Sequence, residues 1–166
     1  MTKRALLFAA IAGIAASQAA TVGAKDHLGI YNDWAAFRDD GVPRCYAIAK
    51  AAPSNRQRDF DPFATIGTWP DKKIRGQVHF RVSRNLSAGK PITLTLGDKN
   101  FVLVGGGGDA WAKNKSMDAQ IVAAMRSARE MVVKATDSKG RRFSNTYALK
   151  GAATAMDAAT LGCAKS

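Results

Sequence analysis

Gly76-Gln77-Val78-His79-Phe80-Arg81-Val82-Ser83-Arg84 places its apolar residues at every second position. Val78, Phe80 and Val82 therefore share one face of an extended strand, and His79 and Arg81 take the other. An amphipathic helix would bring its apolar residues back at spacings of three and four, which this stretch does not do. One apolar face and one polar face is the signature of an antiparallel sheet buried on a single side. On that polar face, His79 reads as a surface side chain and not as a catalytic base. Ile92, Leu94 and Leu96 repeat the alternation, Gly97-Asp98-Lys99-Asn100 turns the chain, and Phe101-Val102-Leu103-Val104 returns as the second arm of a hairpin.

Working outward, residues 30–37 read as a strand carrying Tyr31, Trp34 and Phe37, which turns through Asp39-Asp40-Gly41 into a partner at residues 44–49. Residues 52–62 hold two prolines and several charges, and predict an exposed loop. Phe63–Trp69 is the next strand, stopped by Pro70-Asp71. A helix is predicted where Met117, Ile121, Val122, Met125 and Ala128 recur at helical spacing, capped by Ser116 or Asp118. Strands resume at Met131-Val132-Val133 and at residues 142–149, joined by Asp137-Ser138-Lys139-Gly140. An alanine-rich helix over about residues 152–161 is expected to end at Gly162. The fold class is mainly β (α+β): a single antiparallel, β-sandwich-like domain with two packed helices.

The N-terminus addresses the compartment. Lys3 and Arg4 precede an uncharged apolar run at residues 6–16, and small residues follow. That is the layout of a secretory signal peptide, and the run is shorter than the roughly 20 apolar residues that span a bilayer. Cleavage fits after Ala19 or after Ala24; Ala24 is favoured, because Lys25-Asp26-His27 begins a polar sequence at once. Residues 1–24 are thus expected to be the signal and 25–166 the domain. No cysteine lies near either cut to carry a lipid, and no transmembrane segment is expected in the mature chain. Removing the first 24 of 166 residues leaves 142 and lowers the formal net charge from +12 to +10. So basic a chain suits an anionic partner such as a glycan or lipid headgroup, or else uses its charge only for solubility. No specific nucleic-acid partner and no cofactor are expected.

Cys45 and Cys163 are the only cysteines. In an oxidising compartment they are expected to form a disulfide. The alternative, a nucleophilic cysteine, needs a base, and neither His27 nor His79 forms a local signature with Cys45. Two distant cysteines without paired histidines also lack metal-ligand spacing.

Gly105-Gly106-Gly107-Gly108 is followed by Asp109-Ala110-Trp111, not by the Gly-Lys-Ser/Thr of a phosphate loop, and reads as a flexible turn. Asn85-Leu86-Ser87 and Asn114-Lys115-Ser116 match the short glycosylation pattern only. No Ser/His/Asp set emerges from local motifs, and Asp59-Phe60-Asp61 reads as loop-solvating charge. Basic residues gather in three groups: Arg56 and Arg58; Lys72, Lys73 and Arg75; and Lys139, Arg141 and Arg142. All lie in or beside predicted turns, so one end of the sheet can hold them together as a candidate anion-binding patch. Trp69 adjoins the middle group and can serve ligand stacking; Trp34, Trp69 and Trp111 otherwise read as core or core-edge.

Phe101-Val102-Leu103-Val104 followed by Gly108-Asp109-Ala110-Trp111-Ala112 resembles the invasion-associated locus B protein family. The resemblance continues through residues 118–125, 131–136 and 138–140, and through Asn145-Thr146-Tyr147-Ala148-Leu149-Lys150-Gly151. Arg75-Gly76-Gln77-Val78 and Gly89-Lys90-Pro91-Ile92-Thr93-Leu94 are similar to its central strands. The resemblance implies an exported envelope or secreted protein of the alphaproteobacterial type, associated in pathogens with host-cell entry and lacking enzymatic activity. It supplies no catalytic residues. Many members place a cysteine soon after the first tryptophan, whereas Trp34 is followed here by Ala35-Ala36-Phe37, which leaves Cys45 free to pair with Cys163.

The leading expectation is an exported, non-enzymatic envelope protein binding an anionic envelope or host-surface component through its basic loops, in the periplasm or at the cell surface. A structural or chaperone-like periplasmic domain with an envelope-protein partner is the alternative, and an envelope-polymer hydrolase is the third.

Overall fold

A computed structural model describes residues 25–39 and 41–164; the expected signal segment, residues 1–24, lies outside the described residues. In chain order the elements are β1 (Lys25–Tyr31), β2 (Trp34–Asp39), β3 (Arg44–Lys50), β4 (Phe63–Trp69), β5 (Ile74–Arg81), β6 (Ile92–Leu96), β7 (Lys99–Gly106), β8 (Asp109–Trp111), α1 (Lys115–Met125), β9 (Glu130–Thr136), β10 (Arg142–Ala148) and α2 (Ala152–Ala164). The ten strands form one antiparallel sheet in the order β1-β2-β3-β4-β5-β8-β7-β6-β9-β10.

The sandwich-like character comes from this sheet folding over itself. β5 and β10 stand five places apart in the order, yet the Phe80 and Tyr147 rings meet at 5.8 Å in the core. Asn145 Oδ1 accepts from the Ser83 backbone N–H at 3.0 Å, and the Tyr147 hydroxyl donates to the Arg81 carbonyl. β10 then reaches back to the first strands: Ala52 N–H donates to the Thr146 carbonyl at 2.7 Å, and Trp34 Nε1 to the Ala148 carbonyl at 2.9 Å. The residues that alternate in the sequence, Val78, Phe80 and Val82 with Ile92, Leu94 and Leu96, are all buried in the common core.

Both helices pack on the sheet, α2 against β1–β4 and α1 against β5, β6 and β7. α2 buries Ala152, Ala155, Met156, Ala159 and Cys163. Its small residues let the helix axis come close to β3, where Cys45 joins Cys163 in a disulfide with a Cα–Cα distance of 5.7 Å.

Four local readings change. The strand expected at residues 30–37 is two, because Asn32 adopts φ 55° and turns the chain between β1 and β2. The glycine run is half strand: Gly105 and Gly106 end β7, and only the turn to β8 follows. A Cβ on Gly105 would run into the Asp109 carbonyl oxygen across that hairpin, and one on Gly108 into the Phe60 ring. Close packing therefore requires these glycines more than flexibility does. α1 is capped by Asn114, whose Oδ1 accepts from Met117 N–H at 2.9 Å. Asp118 is instead buried, accepting from the Val78 backbone N–H of β5 at 2.8 Å. Burial pushes its carboxyl up, against the lowering effect of that hydrogen bond. Finally, α2 runs through Gly162 to Ala164. That glycine faces Leu28 of β1, whose Cδ1 lies 2.5 Å from where a Cβ would stand, so it serves the helix–sheet approach and not a helix stop.

Candidate functional site

The outward faces of β6, β9 and β10 carry what the inward faces exclude. Where Met131, Val133 and Ala135 point into the core, Lys134 and Thr136 point out. The register aligns Thr93, Lys134 and Ser144 in one cross-strand row, with Thr136 opposite Arg142 in the next. Lys90 from the turn before β6 and Arg56 from the long loop after β3 complete the walls of an open groove of about 970 Å³. Four cations, Arg56, Lys90, Lys134 and Arg142, thus face one groove with the hydroxyls of Thr93, Thr136 and Ser144. Among the described residues no acidic side chain lines the groove, and none of the four cations forms an ion pair. Uncompensated like charge around a concave surface raises the local concentration of anions.

Lys73 and Arg75 lie elsewhere. They rim a second groove of about 720 Å³, where α1 and α2 approach each other over the start of β5. Lys72 is exposed in the 3-10 turn before β5 and does not line that groove. The three basic groups therefore do not share one end of the sheet. Arg58 and Arg141 have acidic partners: Arg58 meets Asp61 at 3.3 Å, and Arg141 meets Asp137 at 2.8 Å. Lys139 is exposed, and its backbone N–H donates to Asp137. Asp137 is 2% exposed and also holds Arg84 at 3.3 Å. Burial alone would raise its carboxyl pKa, but the Arg141 backbone and guanidinium and the Lys139 backbone outweigh that and hold it at about 2. The third basic group is thus largely a structural knot around one carboxylate, from which Arg142 alone reaches the first groove.

His79 is not a bare surface residue. Its Nε2 lies 2.9 Å from Asp109 Oδ1 and its Nδ1 lies 3.4 Å from the Thr65 hydroxyl, while Arg81 binds Asp109 Oδ2. Trp111 lies tilted beside the imidazole at 5.1 Å, and Phe63 meets it edge-on at 5.8 Å. The order Thr–His–Asp has the connectivity of a nucleophile, base and orienting acid. Here, though, all three stand on the outward face of adjoining strands, and neither large groove is lined by any of them. The sequence placed His79 and Arg81 on one polar strand face, but Asp109 and Thr65 could not be joined to them, since cross-strand partners so far apart in the chain have no local pattern. Among the described residues no group of three or more His, Cys, Asp or Glu side chains is placed to hold a metal ion.

The family model for invasion associated locus B (IalB) protein matches residues 37–160. The chain belongs to the invasion associated locus B family. Its fold agrees: invasion associated protein B from Bartonella henselae superposes with a TM-score of 0.60 at 16% identity, over 83% of this chain and 98% of that one. Among curated proteins, no sequence matches significantly. The segment shared with the invasion associated locus B family contains all four cations of the first groove, but it ends before Cys163 and begins after β1. No helix among the described residues is long and apolar enough to cross a membrane.

Proposed function

We propose that this invasion associated locus B family protein is an exported, non-catalytic envelope protein that binds an anionic polymer, a phosphorylated or sulfated glycan of the cell envelope or host surface, along the groove of β6, β9 and β10. One observation carries the reading: Arg56, Lys90, Lys134 and Arg142 converge from four separate segments on a concave surface that, among the described residues, no acidic side chain lines. Keeping four like charges together costs stability through mutual repulsion, so an anion is the natural complement. The hydroxyls of Thr93, Thr136 and Ser144 add donors for phosphate, sulfate or sugar oxygens. The signal-like N-terminus, the disulfide and family membership support the exported setting.

The test is binding to immobilised lipopolysaccharide and to heparin at stepped salt concentrations. The wild-type protein is expected to bind at low ionic strength and to release as the Debye length shrinks from about 10 Å at 0.1 M salt to about 3 Å at 1 M. R56E/R142E is expected to abolish retention at salt that still holds the wild type, while K72E/K73E/R75E is expected to lose far less. Equal losses for the two sets would reduce the effect to general basicity and overturn the assignment to this groove.

A further inference from the structure

The second groove has a different chemistry. α1 and α2 pack on the same side of the sheet over neighbouring strands, and the space between them lies above Thr68 of β4 and Gly76 of β5. Its lining is mainly apolar: Ile74 of β5, Ala119, Val122 and Ala123 of α1, and Ala164 of α2, with Thr160 and the disulfide's Cys163 also contributed by the C-terminal end of α2. The alanines keep it open, because larger side chains on the facing turns would fill it. Gly76 supplies no side chain to the floor; it adopts φ +65°, and a Cβ there would come to 3.7 Å from Val122 Cγ2.

Cations stand at the rim. Lys73 and Arg75 are exposed and form no ion pair among the described residues. Arg126 is held by Asp157 at 2.7 Å, which lowers the Asp157 carboxyl through the hydrogen bond and so leaves that pair neutral overall. The net charge at the mouth therefore comes from Lys73 and Arg75. A volume near 720 Å³ lies in the range that encloses a compact organic ligand.

We infer that this groove is a binding site for a fatty acid, with the acyl chain between α1 and α2 and the carboxylate at Lys73 and Arg75. Apolar walls select a chain over a sugar or a free phosphate, since neither would gain from displacing water along Ile74 and Val122. The two unpaired cations select an anionic head over a neutral one. The site is independent of the polyanion groove, with which it shares no residue.

The experiment is titration of the purified protein with dodecanoate below its micellar concentration, by calorimetry and by displacement of cis-parinaric acid. Dodecanoate is expected to bind with one-to-one stoichiometry, and dodecanol and butyrate at least tenfold more weakly. A119W, at an exposed helix position that lines this groove, is expected to lose binding more than tenfold with an unchanged melting temperature. K73E/R75E is expected to lose about fivefold or more for dodecanoate and little for dodecanol. R56E/R142E, at the other groove, is expected to change nothing. Undetectable dodecanoate binding, undiminished binding in A119W, or equal affinity for acid and alcohol overturns the inference. None of these outcomes depends on whether the polyanion reading holds.

Discussion

Replacing both Cys45 and Cys163 with alanine tests how much of the stability is held by one covalent link. The bridge spans a sequence separation of 118 and ties α2 to β3 in the middle of the β1–β4 half of the sheet. Opening a loop of that length restores denatured-state entropy worth about 5 kcal/mol at 25 °C on the chain-entropy relation. For a domain near 140 residues, with an unfolding entropy of about 2.1 cal/mol/K per residue, the same change lowers the melting temperature by roughly 15 °C. Total stabilities of about 5–15 kcal/mol make this a large fraction of the whole. The assay is urea unfolding followed by tryptophan fluorescence, with buried Trp34 as a reporter, comparing the oxidised wild type with C45A/C163A. The midpoint is expected to fall, and the urea slope to rise, because an uncrosslinked denatured chain exposes more surface. C163A alone is expected to match the double variant closely, since either change opens the loop. A loss below about 1 kcal/mol would refute the chain-entropy reasoning, and an unchanged slope would refute the expansion of the uncrosslinked denatured chain.

Three further outcomes follow from the packing. Gly105→Ala is expected to destabilise by about 2 kcal/mol or more, since its Cβ would meet the Asp109 carbonyl, whereas Gly106→Ala next to it faces open space and is expected to stay within about 0.5 kcal/mol, both read by thermal melting. Asp118→Ala is expected to cost about 1–3 kcal/mol by orphaning the Val78 N–H, while Asp118→Asn keeps an acceptor there, removes the buried charge and is expected to cost little. Asp137 has a native pKa of about 2, below its usual 3.8, so its contribution is complete above about pH 4 and is lost as the pH falls towards 2. Acid titration of stability is expected to show that loss in the wild type and to lack it in D137N; identical acid profiles would remove the role assigned to the Asp137 knot.

Alternation marked β5 and β6 from the sequence alone, because a strand buried on one side writes its period into its own residues, whereas the other strands were read from their turns and hairpin partners. Ile92–Leu96 agrees with its alternation to the residue, and Phe63–Trp69 with its expected stop at Pro70-Asp71. Helix ends were less legible. Asn114, not Ser116 or Asp118, caps α1, since several polar residues at a helix start compete for one place and the partner of Asp118 is a strand 40 positions away. Gly162 stays helical because Leu28 packs against it, a contact that composition around Gly162 cannot reveal.

The sequence by itself determined the class of the fold, its basic charge, and that any disulfide within the chain had to join Cys45 to Cys163. Tertiary structure alone decided which charges act together. Arg56 and Arg142 are far apart in the chain and share a groove because β10 returns beside the loop after β3. Lys73 and Arg75 are nearer to Arg56 in sequence and yet lie in another groove. Local patterns record which face of a strand is buried, whereas strand order and register arise from long-range pairing, and those set where outward-facing charges meet.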